Sequence, residues 1–108
     1  MAVYFAQTKI KGGKMLKVSV EVEEESGAGG GCERRITKVR FYGDFFLHPE
    51  DTIEEIEKAL IGECVDKDRM VKKIEAVLRE ANAEAIGVSP MDFADIIVVA
   101  LRSEPGKE

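Results

Sequence analysis

His48 is the chain's single histidine, so a metal site built on two imidazoles cannot form within one copy. His48-Pro49-Glu50 has the spacing of a deaminase zinc motif, but no Pro-Cys-x-x-Cys follows it. A proline and a carboxylate at that place also suit the start of a helix. Gly27-Ala28-Gly29-Gly30-Gly31-Cys32 resembles a dinucleotide loop only loosely: Cys32 stands where the third glycine belongs, and a strand rather than a helix is expected next. Gly12-Gly13-Lys14 has neither the spacing nor the Ser/Thr of a phosphate loop, and no serine sits in a nucleophile elbow. Glu50, Asp51, Glu54, Glu55 and Glu57 read as a solvated helix face rather than a catalytic carboxylate pair. No catalytic residue and no metal ligand is assigned.

The elements that would position any site change character midway. Leu16, Val18, Val20 and Val22 alternate with Lys17, Ser19, Glu21 and Glu23, the period of a strand with one buried face. Val3 to Lys11 is apolar and β-prone, and Gly12-Gly13 suits a tight hairpin. Ser26 to Gly31 is expected to be a flexible loop, after which Ile36 to Tyr42 returns as a third strand. Beyond it the period becomes helical. Ile53, Ile56 and Leu60 share a face, Thr52 and Glu55 have capping-box spacing, and Gly62 is placed to stop the helix. Val71, Ile74, Val77, Leu78 and Ala81 form a second stripe, starting near Asp66 or Asp68. Ser89-Pro90-Met91-Asp92 opens a third helix, whose buried face is Phe93, Ile96, Ile97, Ala100 and Leu101. The order β-β-β-α-α-α predicts an α+β fold, a three-stranded antiparallel meander with three helices packed on one face. A single domain over 1–102 and a disordered tail over 103–108 are expected.

Bulk properties narrow the function. The chain has 108 residues, 44% hydrophobic and 34% charged, with a net charge of −5. Nucleic acid is disfavoured as a partner because phosphate neutralisation needs a basic face, and an anionic membrane is disfavoured for the same reason. No apolar run approaches a membrane span, and the first residues carry no signal-peptide pattern. Cys32 and Cys64 make neither a disulfide framework nor a metal clip, so both are expected to be reduced thiols of a cytoplasmic protein.

The most informative stretch is Gly43-Asp44-Phe45-Phe46-Leu47-His48-Pro49. Neighbouring residues of a strand face opposite sides, so Phe45 and Phe46 cannot both enter one core from a strand. One reading places a ring at the surface or in a partner's pocket. The other is a tight turn at Gly43-Asp44 with both rings buried under the first helix. Asp44 likewise either accepts backbone hydrogen bonds in the turn or reaches a partner.

Ile36-Thr37-Lys38-Val39-Arg40-Phe41-Tyr42-Gly43-Asp44-Phe45-Phe46, followed by a helix through Leu60-Ile61-Gly62, resembles the C-terminal accessory domain of lipoate–protein ligases. Lys11 to Val18 is similar to that family's glycine-containing hairpin. The likeness covers roughly residues 9 to 62 and is weaker in the later helices. It implies a chain without catalytic residues, inactive alone, that works as a heterodimer with a large catalytic subunit. That subunit would bind ATP, Mg2+ and lipoate, form lipoyl-adenylate and pass the lipoyl group to a lysine of an acceptor protein. The accessory domain would serve the adenylation step. In such a complex Gly43, Asp44, Phe45, Phe46, His48 and Pro49 are the expected partner interface, with Phe45 and Phe46 as anchors because buried aromatics commonly dominate such contacts. Lys9, Lys11, Lys14 and Lys17 form a local basic patch on an acidic protein. They are either solvated hairpin residues or a group that brings a lysine to the ATP phosphates.

Two other classes compete. An iron–sulfur assembly scaffold or sulfur acceptor has a comparable order of elements, but its chemistry needs a cysteine just after the glycine turn, where this chain has Asp44. A standalone module that binds lipoylated proteins would need no ligase partner.

Overall fold

The computed structural model describes residues 2–10, 14–24 and 34–102. Strands β1 (Ala2–Ile10), β2 (Lys14–Glu24) and β3 (Arg34–Gly43) form one antiparallel sheet in that order. The expected glycine hairpin at Gly12-Gly13, the loop from Ser26 to Gly31 and the 103–108 tail lie outside the described residues. Leu16, Val18, Val20 and Val22 are all buried on one face, as the alternation requires. Ile36, Val39 and Phe41 are buried beside them, although Ile36 and Val39, three apart, belong to opposite faces of a regular strand. A β-bulge resolves the conflict. The register passes from Glu21↔Lys38 to Val22↔Ile36, which leaves Thr37 without an opposite number. The Thr37 hydroxyl is shared between the backbone carbonyl of Glu21 (3.1 Å) and its carboxylate (3.0 Å).

Helices α1 (Thr52–Leu60) and α3 (Pro90–Leu101) cover that face, and α2 (Lys67–Glu80) packs against both to complete the α+β architecture. Phe93 of α3 is its centre, meeting Phe41 edge-on at 4.7 Å and Phe45 at 5.5 Å between ring centroids. The caps follow from the sequence at α2 and α3. Asp66 accepts from the amides of Asp68 and Arg69, and Ser89 and Asp92 exchange reciprocal bonds in a capping box. Arg34 donates to the Leu101 carbonyl at the C-terminus of α3 (3.2 Å) while its guanidinium lies over the Tyr4 ring.

The expected Thr52/Glu55 capping box is not formed. Asp51 is the N-cap and makes no side-chain cap bond; backbone bonds from Thr52 to Pro49 and from Glu54 and Glu55 to Asp51 close the first turn instead. Thr52 is thereby drawn into the helix and buried, leaving its hydroxyl unpartnered. Gly62 does end α1, with φ of 87° and its amide bonded to the Ile36 carbonyl at 2.7 Å. That contact begins a clasp on the outer edge of β3. Ile36 donates to Glu63, Val65 donates to Arg34, and Arg35 and Cys64 form an antiparallel bridge. Further along, the Glu57 carboxylate accepts from the Phe41 amide at 2.7 Å, closing another donor of the edge.

Cys64 is disulfide-bonded, which corrects the expectation of reduced thiols. Cys32, the chain's other cysteine, lies outside the described residues. Sequence spacing gave no hint of a bond, because only the clasp brings Cys64 beside Arg35, three positions from Cys32 along the chain. A second, two-stranded sheet was also missed: β4 (Phe46–His48) pairs with β5 (Glu84–Ile86), in the register Phe46↔Ile86, Leu47↔Ala85 and His48↔Glu84. Three-residue strands are too short to show a period, and their partners are distant in sequence.

Candidate functional site: the corner after β3

Gly43 makes the corner. Its φ is 147°, and a Cβ there would collide with the Met15 carbonyl oxygen, so neither the backbone angle nor the space admits another side chain comfortably. Asp44 then donates its amide to that same Met15 carbonyl at 2.9 Å and turns its carboxylate toward the Met15 amide at 3.5 Å. Of the two readings for Asp44, the turn is the one the geometry displays.

The adjacent rings part company. Phe45 packs inward against Phe93 of α3. Phe46 points out and stays 50% exposed; its cross-strand neighbour Ile86 is 54% exposed. His48, two residues on and therefore on the same side of β4, stacks parallel to the Phe46 ring at 6.2 Å. The His48–Pro49 peptide is cis, and both residues are exposed. The surface so built is a small apolar knob of Phe46 and Ile86, backed by an imidazole face. Ile86 could not be found from sequence, because nothing local ties it to residue 46.

The basic patch divides. Lys9 and Lys17 alternate onto the sheet face opposite the helices, whereas Lys14 shares the side of Leu16 at the strand end beside the corner. Lys11 lies outside the described residues. Between the edge of β3 and the start of α1 runs an open cleft of about 800 Å³, with Arg40 and Tyr42 on one wall and Glu50, Asp51, Glu54 and Glu57 on the other. Among the described residues no group of three or more His, Cys, Asp or Glu side chains is arranged to hold a metal ion, and no helix is long and apolar enough to cross a membrane.

A meander backed by helices, turning through a locked glycine corner into an exposed aromatic, defines an α+β module whose corner presents an exposed apolar pair, Phe46 and Ile86. The model of the bacterial lipoate protein ligase C-terminus matches residues 32–97, and the chain belongs to that family. It is 32% identical over 68 residues to lipoate-protein ligase A subunit 2 of Thermoplasma acidophilum, an alignment that takes in 60% of this chain and 66%, just under two thirds, of that relative. It also superposes with a TM-score of 0.68 and 26% identity on a chain of the archaeal lipoylation system of Thermoplasma acidophilum, described as a bi-partite lipoate protein ligase and its E2 lipoyl domain. That superposition covers 96% of this chain and 100% of the other.

Proposed function

We propose that this chain is the non-catalytic accessory subunit of a two-part lipoate–protein ligase in the cytoplasm. It forms a heterodimer with a large catalytic subunit and is needed for ATP-dependent conversion of lipoate to lipoyl-adenylate, before the lipoyl group passes to an acceptor lysine. The observation that carries the reading is its likeness, over the whole of the matched chain, to a component of a bi-partite ligase.

ATP, Mg2+ and lipoate would be held by the large subunit. The accessory chain contributes by ordering or closing that site, a conformational role that needs contact surface rather than reactive groups. The corner is the proposed grip: Phe46 is the anchor, Ile86 and His48 flank it, and Gly43, Asp44, Phe45 and Pro49 hold the segment in shape. Lys14, beside the corner, is the lysine proposed to approach the ATP phosphates.

Lipoyl-adenylate formation measured with the large subunit, lipoate and ATP, with and without this chain, tests the reading. Adenylation is expected only from the pair. Full activity of the large subunit without the chain, or adenylation by the chain alone, overturns it. Lys14→Glu is expected to raise KM for ATP in the heterodimer; an unchanged KM removes the phosphate role from Lys14.

A further inference from the structure

The two edges of the three-stranded sheet differ. The outer edge of β3 is clasped: Gly62 and Val65 donate to the carbonyls of Ile36 and Arg34, and the Glu63 carbonyl and Glu57 carboxylate accept from Ile36 and Phe41. β1 is the other edge, and among the described residues no hydrogen bond reaches its outer side. Natural sheets blunt such an edge with a short strand, a proline, a bulge or charges, because a free row of amides and carbonyls is a template for another strand. Little of that protection is present in β1. It runs nine residues in unbroken register with β2, contains no proline and carries a single charge, Lys9 near its end.

We infer that the outer edge of β1 docks the same strand of a second copy of this chain. Two antiparallel strands related by a two-fold axis keep the helices of both copies on one side, so residues of the same sheet face stand opposite one another. Full overlap from Ala2 to Ile10 then places Ala6 on the axis. In that register Tyr4 stands opposite Thr8 of the second copy on the helix side. On the other side Phe5 stands opposite Gln7 of the second copy, and Val3 opposite its Lys9. The two lysines are held apart, and no like charges meet. The helical layer fits the same axis. α3 lies over β1 and β2, and with strands about 4.8 Å apart an axis just outside β1 sets the two α3 helices about 10 Å from each other, the spacing of packed helices. The charges of α3, Asp92 and Asp95, are taken up by the capping box and by Lys67, and the rest of the helix is apolar. Sheet and helix layers thus both continue across the axis, which enlarges the contact beyond a single strand pair. β3, which leads to the corner, is the opposite edge, so the self-contact leaves Phe46 and Ile86 open to a different protein and asks nothing of the ligase reading.

The test is analytical sedimentation of the full chain from about 1 µM to about 1 mM, the range in which contacts of modest size dissociate. A reversible equilibrium between one copy and two is expected. Val3→Lys sets a lysine against Lys9 twice across the axis and is expected to weaken the dimer about tenfold, with the melt at low concentration unchanged. Adding Lys9→Glu turns each clash into an opposite-charge pair and is expected to restore affinity to within about threefold of the original. Within one chain the two positions lie about 20 Å apart along the strand, so that rescue arises between copies. Amide hydrogen exchange of the unaltered chain needs no variant to fold: alternate amides of β1 are expected to be protected at high concentration and to exchange quickly at low concentration. A chain that stays single at the highest concentration overturns the proposal. So does a dimer indifferent to Val3→Lys, a loss in the folded variant that Lys9→Glu leaves unrestored, or β1 protection that ignores concentration. A dimer that the large subunit takes apart, leaving one copy of each chain, assigns the edge to that subunit and overturns the proposal as well.

Discussion

Phe45 and Phe46 are chemically identical neighbours, and the structure gives them opposite consequences when truncated. A buried phenylalanine removes about 150–250 Å² from water. Phe46 is 50% exposed, so about 100 Å² of it remains to be covered by a partner. At about 25 cal/mol per Å² that area is worth about 2.5 kcal/mol, or about sixtyfold in Kd for the large subunit. Phe46→Ser removes the cross-strand contact with Ile86 and the stacked contact with His48 from the isolated fold, a loss of about 1 kcal/mol. Phe45→Ala instead opens a cavity against Phe93 and forfeits an edge-to-face contact at 5.5 Å, about 2–3 kcal/mol together. In a domain of about 100 residues that lowers Tm by about 10–20 °C. Calorimetric titration against the large subunit and thermal melts of the free chain read the two quantities separately. Phe46→Ser with unaltered affinity refutes the anchor. A melt that falls as far for Phe46→Ser as for Phe45→Ala refutes the division into outward and inward rings. A double substitution would blur the result, because its binding defect would be confounded with loss of fold.

Gly43→Ala is expected to cost about 2–3 kcal/mol of stability, since φ of 147° and the Met15 carbonyl both oppose a Cβ, and chemical denaturation measures it. Thr52→Val is expected to stabilise the chain by about 1 kcal/mol, because the buried Thr52 hydroxyl has no hydrogen-bond partner and valine keeps its shape. A melting temperature that falls for Thr52→Val would mean that the hydroxyl is satisfied in solution, for instance by water.

Where one physical cause acted locally, sequence was enough. The alternation from Leu16 to Val22, the Ser89-Pro90-Met91-Asp92 helix start and the Gly62 stop each depend on residues a few positions apart, and each stands where the pattern put it. Thr52 failed because two adjacent residues, Asp51 and Thr52, compete to begin a helix, and the turn from Pro49 decided between them. At the corner, sequence left two readings open, one ring at the surface or both buried under the first helix. It could not say which, because the choice belongs to Phe93, far along the chain on α3, which takes Phe45 as an edge-to-face partner. Ile86 and the Cys64 disulfide were invisible for the same reason: both depend on pairings that only the folded chain creates. The bulge was within reach. Ile36, Val39 and Phe41 are all apolar but cannot share a face of a regular strand, and a break in alternation at Thr37 is the remedy.

The corner also explains how an exposed ring can serve as an anchor without first having to be ordered. Binding charges an entropic cost for every side chain it immobilises, and a ring on a loose loop would forfeit part of what its burial yields. Phe46 is already confined. Its backbone is paired with Ile86, its ring lies parallel to His48, and the residue before it is fixed in the core by Phe93. Behind these stands Gly43, whose amide-lined turn onto Met15 ties the start of β4 to the β2 strand. The direction in which Phe46 points is thus set by the same sheet register that buries Leu16, opposite Gly43 in the ladder. A substitution that loosens the Gly43 turn would therefore weaken the partner's grip without touching any residue at the contact, because it returns to Phe46 the freedom the fold had removed.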